Sequence, residues 1–265
     1  MKSIYHYVRV YRRLMRLNVV KLLTYRADFL NSILSHSIWA GFTLVQMLLL
    51  TTKTSHVFGW SRSELLVLAA MYNIIFCFFY LFFSRGFSSF STTINFGRLD
   101  GILTKPIDSQ FMLTCLYVTY THLIRFFFGV GFLIFAVTTG GLTITPVAVI
   151  ETIGLIIFSV MTIYSFWMLV MTLIIWFPKL SNLTDLLYQT NQISKFPQEI
   201  YKGASLYLFF VLFPLTVIVV TPTKVLLQQA TLLDVGFLIV CAVTLFAITR
   251  VFWKYALRFY TSASG

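Results

Sequence analysis

Few side chains in this sequence are equipped for chemistry. Its 265 residues include eight carboxylates, four histidines and three cysteines. Cys77, Cys115 and Cys241 sit inside apolar runs without CxxC spacing, and His6, His36, His56 and His122 are scattered, which argues against a metal or disulfide site. No carboxylates stand at catalytic spacing, and neither H-E-x-x-H nor G-x-S-x-G occurs. Gly97, Gly101 and Lys105 lie near one another but lack the spacing and the preceding strand of a phosphate-binding loop. The chain is therefore expected not to hydrolyse ATP, not to be an enzyme and to carry no cofactor of its own. What remains is a polar island, Ile94-Asn95-Phe96-Gly97-Arg98-Leu99-Asp100-Gly101-Ile102-Leu103-Thr104-Lys105-Pro106-Ile107, with charges of both signs between long apolar runs. Its chemistry is non-covalent: apolar anchors and charges suited to gripping another protein at a membrane surface, the alternative being an ordinary solvated loop with turn glycines.

The elements that must hold this island are membrane helices. Hydrophobic residues make up 58% of the chain and charged residues 11%, against roughly 25% charged in an ordinary soluble domain, and the mean hydropathy is +0.86. Six apolar segments reach the length of about 20 residues that a spanning helix needs: 31–50, 65–83, 111–137, 147–177, 204–221 and 235–253. The runs are continuous rather than alternating, which favours helices over a barrel. Pro214 lies inside the fifth and should kink it. No polar stretch is long enough to fold alone, so 1–265 reads as one membrane domain: an interfacial helix over 1–28, a six-span bundle over 31–253 and a tail over 254–265.

Lys and Arg set the orientation. They concentrate in the N-terminal stretch, the loops 84–110 and 178–203, and the tail, while Lys53, Arg62 and Lys224 fall on the opposite side. Both termini are thus expected in the cytoplasm. Before the first span, Arg9, Arg12, Arg13 and Arg16 share one helix face and Ile4, Val8, Tyr11 and Met15 another, the pattern of a helix lying on anionic lipid headgroups. The net charge of +12 is assigned to this lipid contact and to orientation, not to nucleic acid. Arg125 stands near the middle of the third span, with His122 one turn earlier. A charge there must face protein or water, and Glu151 in the fourth span is the nearest partner by expected depth. Such a pair is either an interhelical clamp or part of a transport path.

The island, with its glycine, basic residue, Leu-Asp, hydrophobic pair and Lys-Pro-Ile, resembles the permease subunits of ABC-2 type exporters, in particular a group of small six-span bacterial permeases. Tyr25-Arg26-Ala27-Asp28-Phe29 before the first span, Phe196-Pro197-Gln198-Glu199-Ile200-Tyr201 before the fifth, and the tail Phe252-Trp253-Lys254-Tyr255-Ala256-Leu257-Arg258-Phe259-Tyr260-Thr261-Ser262-Ala263-Ser264-Gly265 agree with it. The resemblance implies an all-α integral membrane fold with a cytoplasmic coupling helix between spans two and three, over about 88–105. That helix would dock on a separate cytoplasmic ATPase, present in two copies and binding ATP and Mg. Arg98, Asp100 and Lys105 would make its polar contacts and Ile94, Phe96, Leu99 and Leu103 its anchors, with Gly97 and Pro106 belonging to the same coupling segment. It further implies a second permease, identical or paralogous, and a path lined by Asn73, Phe76, Phe209 and Phe213. The substrate expected from short outer loops and apolar spans is amphipathic or lipid-like, and the location a bacterial cytoplasmic membrane. Two other classes stay open: an ATPase-independent carrier or channel using Arg125 and His122, and a membrane scaffold for envelope assembly.

Overall fold

The computed structural model describes the backbone of residues 4–24, 26–52, 56–57, 59–180, 182–203 and 206–261, and their side chains apart from 4–8, 21–23, 56–57, 202–203 and 206–213. Among these residues the chain forms helices α1 (Ile4–Thr24), α2 (Arg26–Leu50), α3 (Arg62–Ser88), α4 (Phe90–Asn95), α5 (Asp100–Leu103), α6 (Ser109–Cys115), α7 (Leu123–Gly140), α8 (Pro146–Thr172), α9 (Leu183–Asn191), α10 (Leu206–Leu226) and α11 (Leu232–Ala256). A two-stranded antiparallel hairpin, His56–Val57 with Trp60–Ser61, joins α2 to α3.

Local chemistry sets the boundaries. Ser61 and Glu64 form a reciprocal cap on α3, and Thr231 and Asp234 do the same on α11, satisfying amides that a helix start leaves free. Pro146 opens α8 behind a Thr145 cap, where its missing N–H costs nothing. α7 ends on Gly141 in the left-handed region.

α3 is apolar on all sides and buried along most of its length, with α2, α7, α8 and α10 packed round it. The outer faces are equally apolar: Leu34 and Ile38 of α2, Ile150 of α8 and Val251 of α11 are all more than half exposed. Water does not tolerate such a continuous apolar exterior, whereas lipid does. Among the described residues, five helical stretches are long and apolar enough to cross a membrane: Arg26–Leu50, Arg62–Asn95, Tyr120–Gly140, Pro146–Ile175 and Leu232–Phe259.

One end of the bundle, the basic end, carries α1 and α4–α6. There Asn18 donates to the Leu116 carbonyl and Tyr120 to that of Met15. At the other, the hairpin end, Gln229 meets Glu64 and Gln228 donates to the Thr143 carbonyl. α1 shows the expected facing, with Arg9, Arg12, Arg13 and Arg16 exposed and Tyr11 and Met15 half-buried; the side chains of Ile4 and Val8 lie outside the described residues.

Two expectations need correction. The third apolar run is not one helix over 111–137. It breaks after Cys115, where the Thr119 amide donates to the Leu81 carbonyl at 2.8 Å, and resumes as a single turn, Tyr120–His122, leading into α7. Nor does 178–203, expected as a basic-end loop containing a short helix that ends before Phe196-Pro197, stay at that end, although the helix is there as α9 with the turn to Lys195. The segment starts at the basic end, where Asn95 donates to the Pro178 carbonyl at 3.1 Å, and climbs into the bundle. Asn191 bonds Tyr80 and Trp167, Ser194 donates to the Leu215 carbonyl at 2.6 Å, and Glu199 reaches Trp60 and Lys224 near the hairpin end. Its polar side chains find partners on neighbouring helices and so need no water. α10 follows, remains helical through Pro214 and Pro222, and ends at the hairpin end.

α3 and α6 approach so closely at Gly86 that an added Cβ would overlap the Thr114 carbonyl. Gly86→Ala should therefore destabilise the folded chain by about 1–3 kcal/mol. Gly154→Ala, with open space around it, should not. Thermal unfolding in detergent, read by gel filtration, checks this; an unchanged melting point for Gly86→Ala would contradict the packing.

Candidate functional site

The polar island folds as a broken helix rather than one continuous helix over 88–105. α4 stops at Asn95, Gly97 takes a φ of +69°, and the Leu99 amide returns to the Thr93 carbonyl before α5 begins. A left-handed residue at that position ends a helix and favours glycine. Ile94 and Leu99 point inward and belong to the hydrophobic core, so they anchor the turn to its own bundle and are not surface anchors. Phe96 is 71% exposed, with Arg98 stacked over its ring at 5.9 Å. Leu103, Lys105 and Pro106 are exposed as well, and Asp100 is half-buried.

Behind the turn is a polar lock that the sequence did not suggest. Asp108 caps α6 by accepting from the Phe111 amide, and both its oxygens receive Arg250 of α11, at 2.8 and 2.7 Å. The same guanidinium reaches Gln110, which donates to the Tyr164 hydroxyl of α8 at 2.9 Å. Burial alone would raise the Asp108 carboxyl, but the hydrogen bonds from Arg250 and the Phe111 amide and the Arg250 charge outweigh it and hold the pKa below the usual value. A cap residue two positions after Lys-Pro and a lone arginine late in α11 were the available signals; neither specifies the other.

The main cavity, about 720 Å³, lies between α2, α3, the start of α7 and the stretch 188–195. Arg125 is the third residue of α7 and so sits near the basic end, not mid-helix. It is 9% exposed and rests over the rings of Tyr72 and Tyr80, at 5.7 and 5.1 Å. His36 and His122 stack beside it with centroids 4.0 Å apart. The expected Arg125–Glu151 pair does not form. Glu151 is exposed near the start of α8, at the hairpin end, whereas Arg125 lies roughly 22 Å of helix below the end of α7. Lys195, also 9% exposed, donates to Gln46 and Gln192 at 2.8 and 3.3 Å.

A second cavity of about 640 Å³ shares Ser32, Arg85 and Thr119 with the first and continues to Asp28, Arg98 and Asn18. The two form one route from the surface beside α1 into the bundle. Asn73 and Phe76 do not line it. Both are fully buried in α3: Asn73 donates to the Ala69 carbonyl, and Phe76 packs on Tyr72, Phe79 and Tyr80. The side chains of Phe209 and Phe213 lie outside the described residues. Lys195, Gln46 and Arg85 are lining residues that sequence reasoning missed; Lys195 read only as one of the cytoplasmic-side charges that set the orientation.

Apolar helices round a polar, cation-lined cavity define a multi-pass membrane protein with an internal route. The chain matches the family described as ABC-2 family transporter protein over residues 37–264, and it belongs to that family. At family level it is a membrane permease of the ABC exporter type, a kind that generally works with an ATPase subunit and as a dimer. A search of curated proteins and a search of solved structures each found no match.

The depressed Asp108 pKa gives a pH prediction. Its stabilising contribution is present above the unfolded value, near 3.8, and is lost as pH falls through the lower folded value. Arg250→Ala should cost about 1.5–3 kcal/mol at neutral pH. Below about pH 4 the wild type should lose stability that Asp108→Asn does not have to lose. Melting curves of the three proteins from pH 7 to 3 check this; parallel curves for wild type and Asp108→Asn would count against the lock.

Proposed function

We propose that the chain is the membrane subunit of an ATP-driven exporter, with the basic end in the cytoplasm and the surface at Phe96 gripping a separate ATPase. The observation that carries this is the exposed Phe96–Arg98 pair on a turn pinned to the core by Ile94 and Leu99. A rigidly held aromatic with charges round it is what an interface anchor requires. Leu103, Lys105 and Pro106 extend the contact and Asp100 tunes it; Gly97 shapes the turn. The chain crosses the membrane six times: through the five long apolar helices, and once through the composite stretch from α9 to α10. α1 lies on the cytoplasmic leaflet with its arginines at the headgroups.

In this reading two ATPase copies bind ATP with Mg, close on each other and draw the coupling turns of two permeases together. The second permease is identical or paralogous. The motion passes through the Asp108–Arg250 lock to α11 and α8, and the route from Arg98 to Lys195 switches from inward- to outward-facing. A permease of this kind works by differential affinity in the two states. The substrate is amphipathic or lipid-like, taken from the cytoplasm or inner leaflet, and the location is a bacterial cytoplasmic membrane. A second reading, an ATPase-independent carrier, draws support from the stacked His36–His122 pair and the broken stretch 192–203 inside the bundle.

Purification of the tagged chain from native membranes in mild detergent tests the choice. A stoichiometric soluble ATPase should accompany it. Phe96→Asp and Leu103→Asp should each reduce that recovery at least tenfold with unchanged gel-filtration behaviour, the loss of about 1.4 kcal/mol or more expected of an anchor. Leu99→Asp, at a fully buried position, should instead fail to fold. Reproducible recovery of the intact chain without an ATPase would favour the carrier.

A further inference from the structure

Three cations converge on the main cavity from three elements: Arg85 of α3, Arg125 of α7 and Lys195 of the turn that follows α9. Two of them, Arg125 and Lys195, are nine-tenths buried. No carboxylate lines this cavity among the described residues; the nearest on the route is Asp28, in the adjoining mouth that it shares with Arg98. Lys195 is oriented by two neutral amide oxygens, which leave its charge uncompensated. Arg125 is cushioned on tyrosine faces, and its Nε has no hydrogen-bond partner among the described residues.

Buried cations in a membrane protein are ordinarily paired. Here the room beside them is large enough for a bound group and is lined with further donors from hydroxyls and amides. Guanidinium, ammonium and hydroxyl donors converging on one space suit a phosphate or carboxylate. The same cavity has an apolar rim, Trp39 and Phe42 of α2, both 60% exposed and continuous with the exposed Ile38. The site is therefore cationic inside and oily at its edge.

We propose that this cavity binds the anionic head of its ligand, a phosphate or carboxylate group, between Arg85, Arg125 and Lys195, with any attached chain leaving past Trp39 and Phe42. The head supplies the counter-charge that no described carboxylate provides at this site. This deepens the export reading by naming the chemical class of what is carried. Binding needs neither the ATPase nor transport, so failure to recover an ATPase leaves the site standing, and failure of binding leaves the permease reading standing.

The test is a titration of the full chain, purified in an uncharged maltoside, with three probes: dioctanoyl phosphatidic acid, dioctanoylglycerol and inorganic phosphate. Phosphatidic acid should bind at least tenfold more tightly than dioctanoylglycerol, which has the same chains without the phosphate. Arg85→Gln and Lys195→Gln should each weaken it at least fivefold, and Lys179→Gln, an exposed cation away from the cavity, should not. Inorganic phosphate that binds within tenfold of phosphatidic acid would identify a free anion as the source; phosphate that only competes weakly would identify a lipid headgroup. Either result keeps the anion site. Equal affinity for the phosphorylated and unphosphorylated lipids would overturn it. So would unchanged affinity in Arg85→Gln, whose exposed side chain lets it fold even where Arg125→Gln does not.

Discussion

A guanidinium held inside a bundle of apolar helices costs at least ~2.5 kcal/mol if it faces hydrocarbon, and the interior of this protein is arranged round that constraint at Arg125. The charge cannot be placed along the membrane-facing outer faces, which are largely apolar. It is placed instead at the start of α7, over two tyrosines of the central helix, facing a cavity that opens toward the basic end. Tyr80 is in turn held by Asn191, and Asn191 by Trp167. The polar stretch 183–195 is thus drawn into the bundle because its side chains satisfy, and are satisfied by, the groups that line the cavity. The broken third run, the climbing 178–203 segment and the cavity are parts of one solution.

In the proposed export reading, the basic end of the same bundle is where an ATPase would act. The turn is buried on one side, through Ile94 and Leu99, and exposed on the other, through Phe96 and Leu103. A short distance along the chain, Asp108 ties α6 to α11 through Arg250 and to α8 through Gln110 and Tyr164. In the proposed reading, these contacts connect the turn to the helices that line the bundle. Pinned inside and exposed outside is the arrangement a permease needs where an external motor acts on it.

Hydropathy made the long helices legible, because about 20 consecutive apolar residues have few other uses, and the four arginines of α1 announced an exposed face. Particular failures have physical causes. The run 111–137 is apolar enough on average to pass for one span, and its short polar patch Thr119-Tyr120-Thr121-His122 does not by itself mark a break made by one backbone hydrogen bond from Thr119 to Leu81. The stretch 178–203 is polar, and polarity alone does not distinguish a solvated loop from a segment whose partners are Trp167, Tyr80 and Gln46 on distant parts of the chain. Ile94, Phe96, Leu99 and Leu103 are equally apolar as letters; the left-handed Gly97 between them decides which face in and which face out. Arg125 was legible as a group needing company, but its depth depended on the break that hydropathy hides. The family was legible because short motifs kept their order relative to the apolar runs.

The central claim is that the cation-lined cavity is the inward-facing half of a path switched by ATP. Gln46 tests it most directly, since it touches Lys195 at the deep end of the cavity, toward the hairpin end of α2. A Gln46→Cys variant, in a background with Cys77, Cys115 and Cys241 replaced, would be treated with a membrane-impermeant thiol reagent from each side of oriented vesicles that also hold the ATPase. The account predicts labelling from the cytoplasmic side in the absence of nucleotide, and loss of that labelling when the ATPase is trapped with ATP and vanadate. Labelling from the opposite side alone, or equal labelling in both nucleotide states, would contradict it.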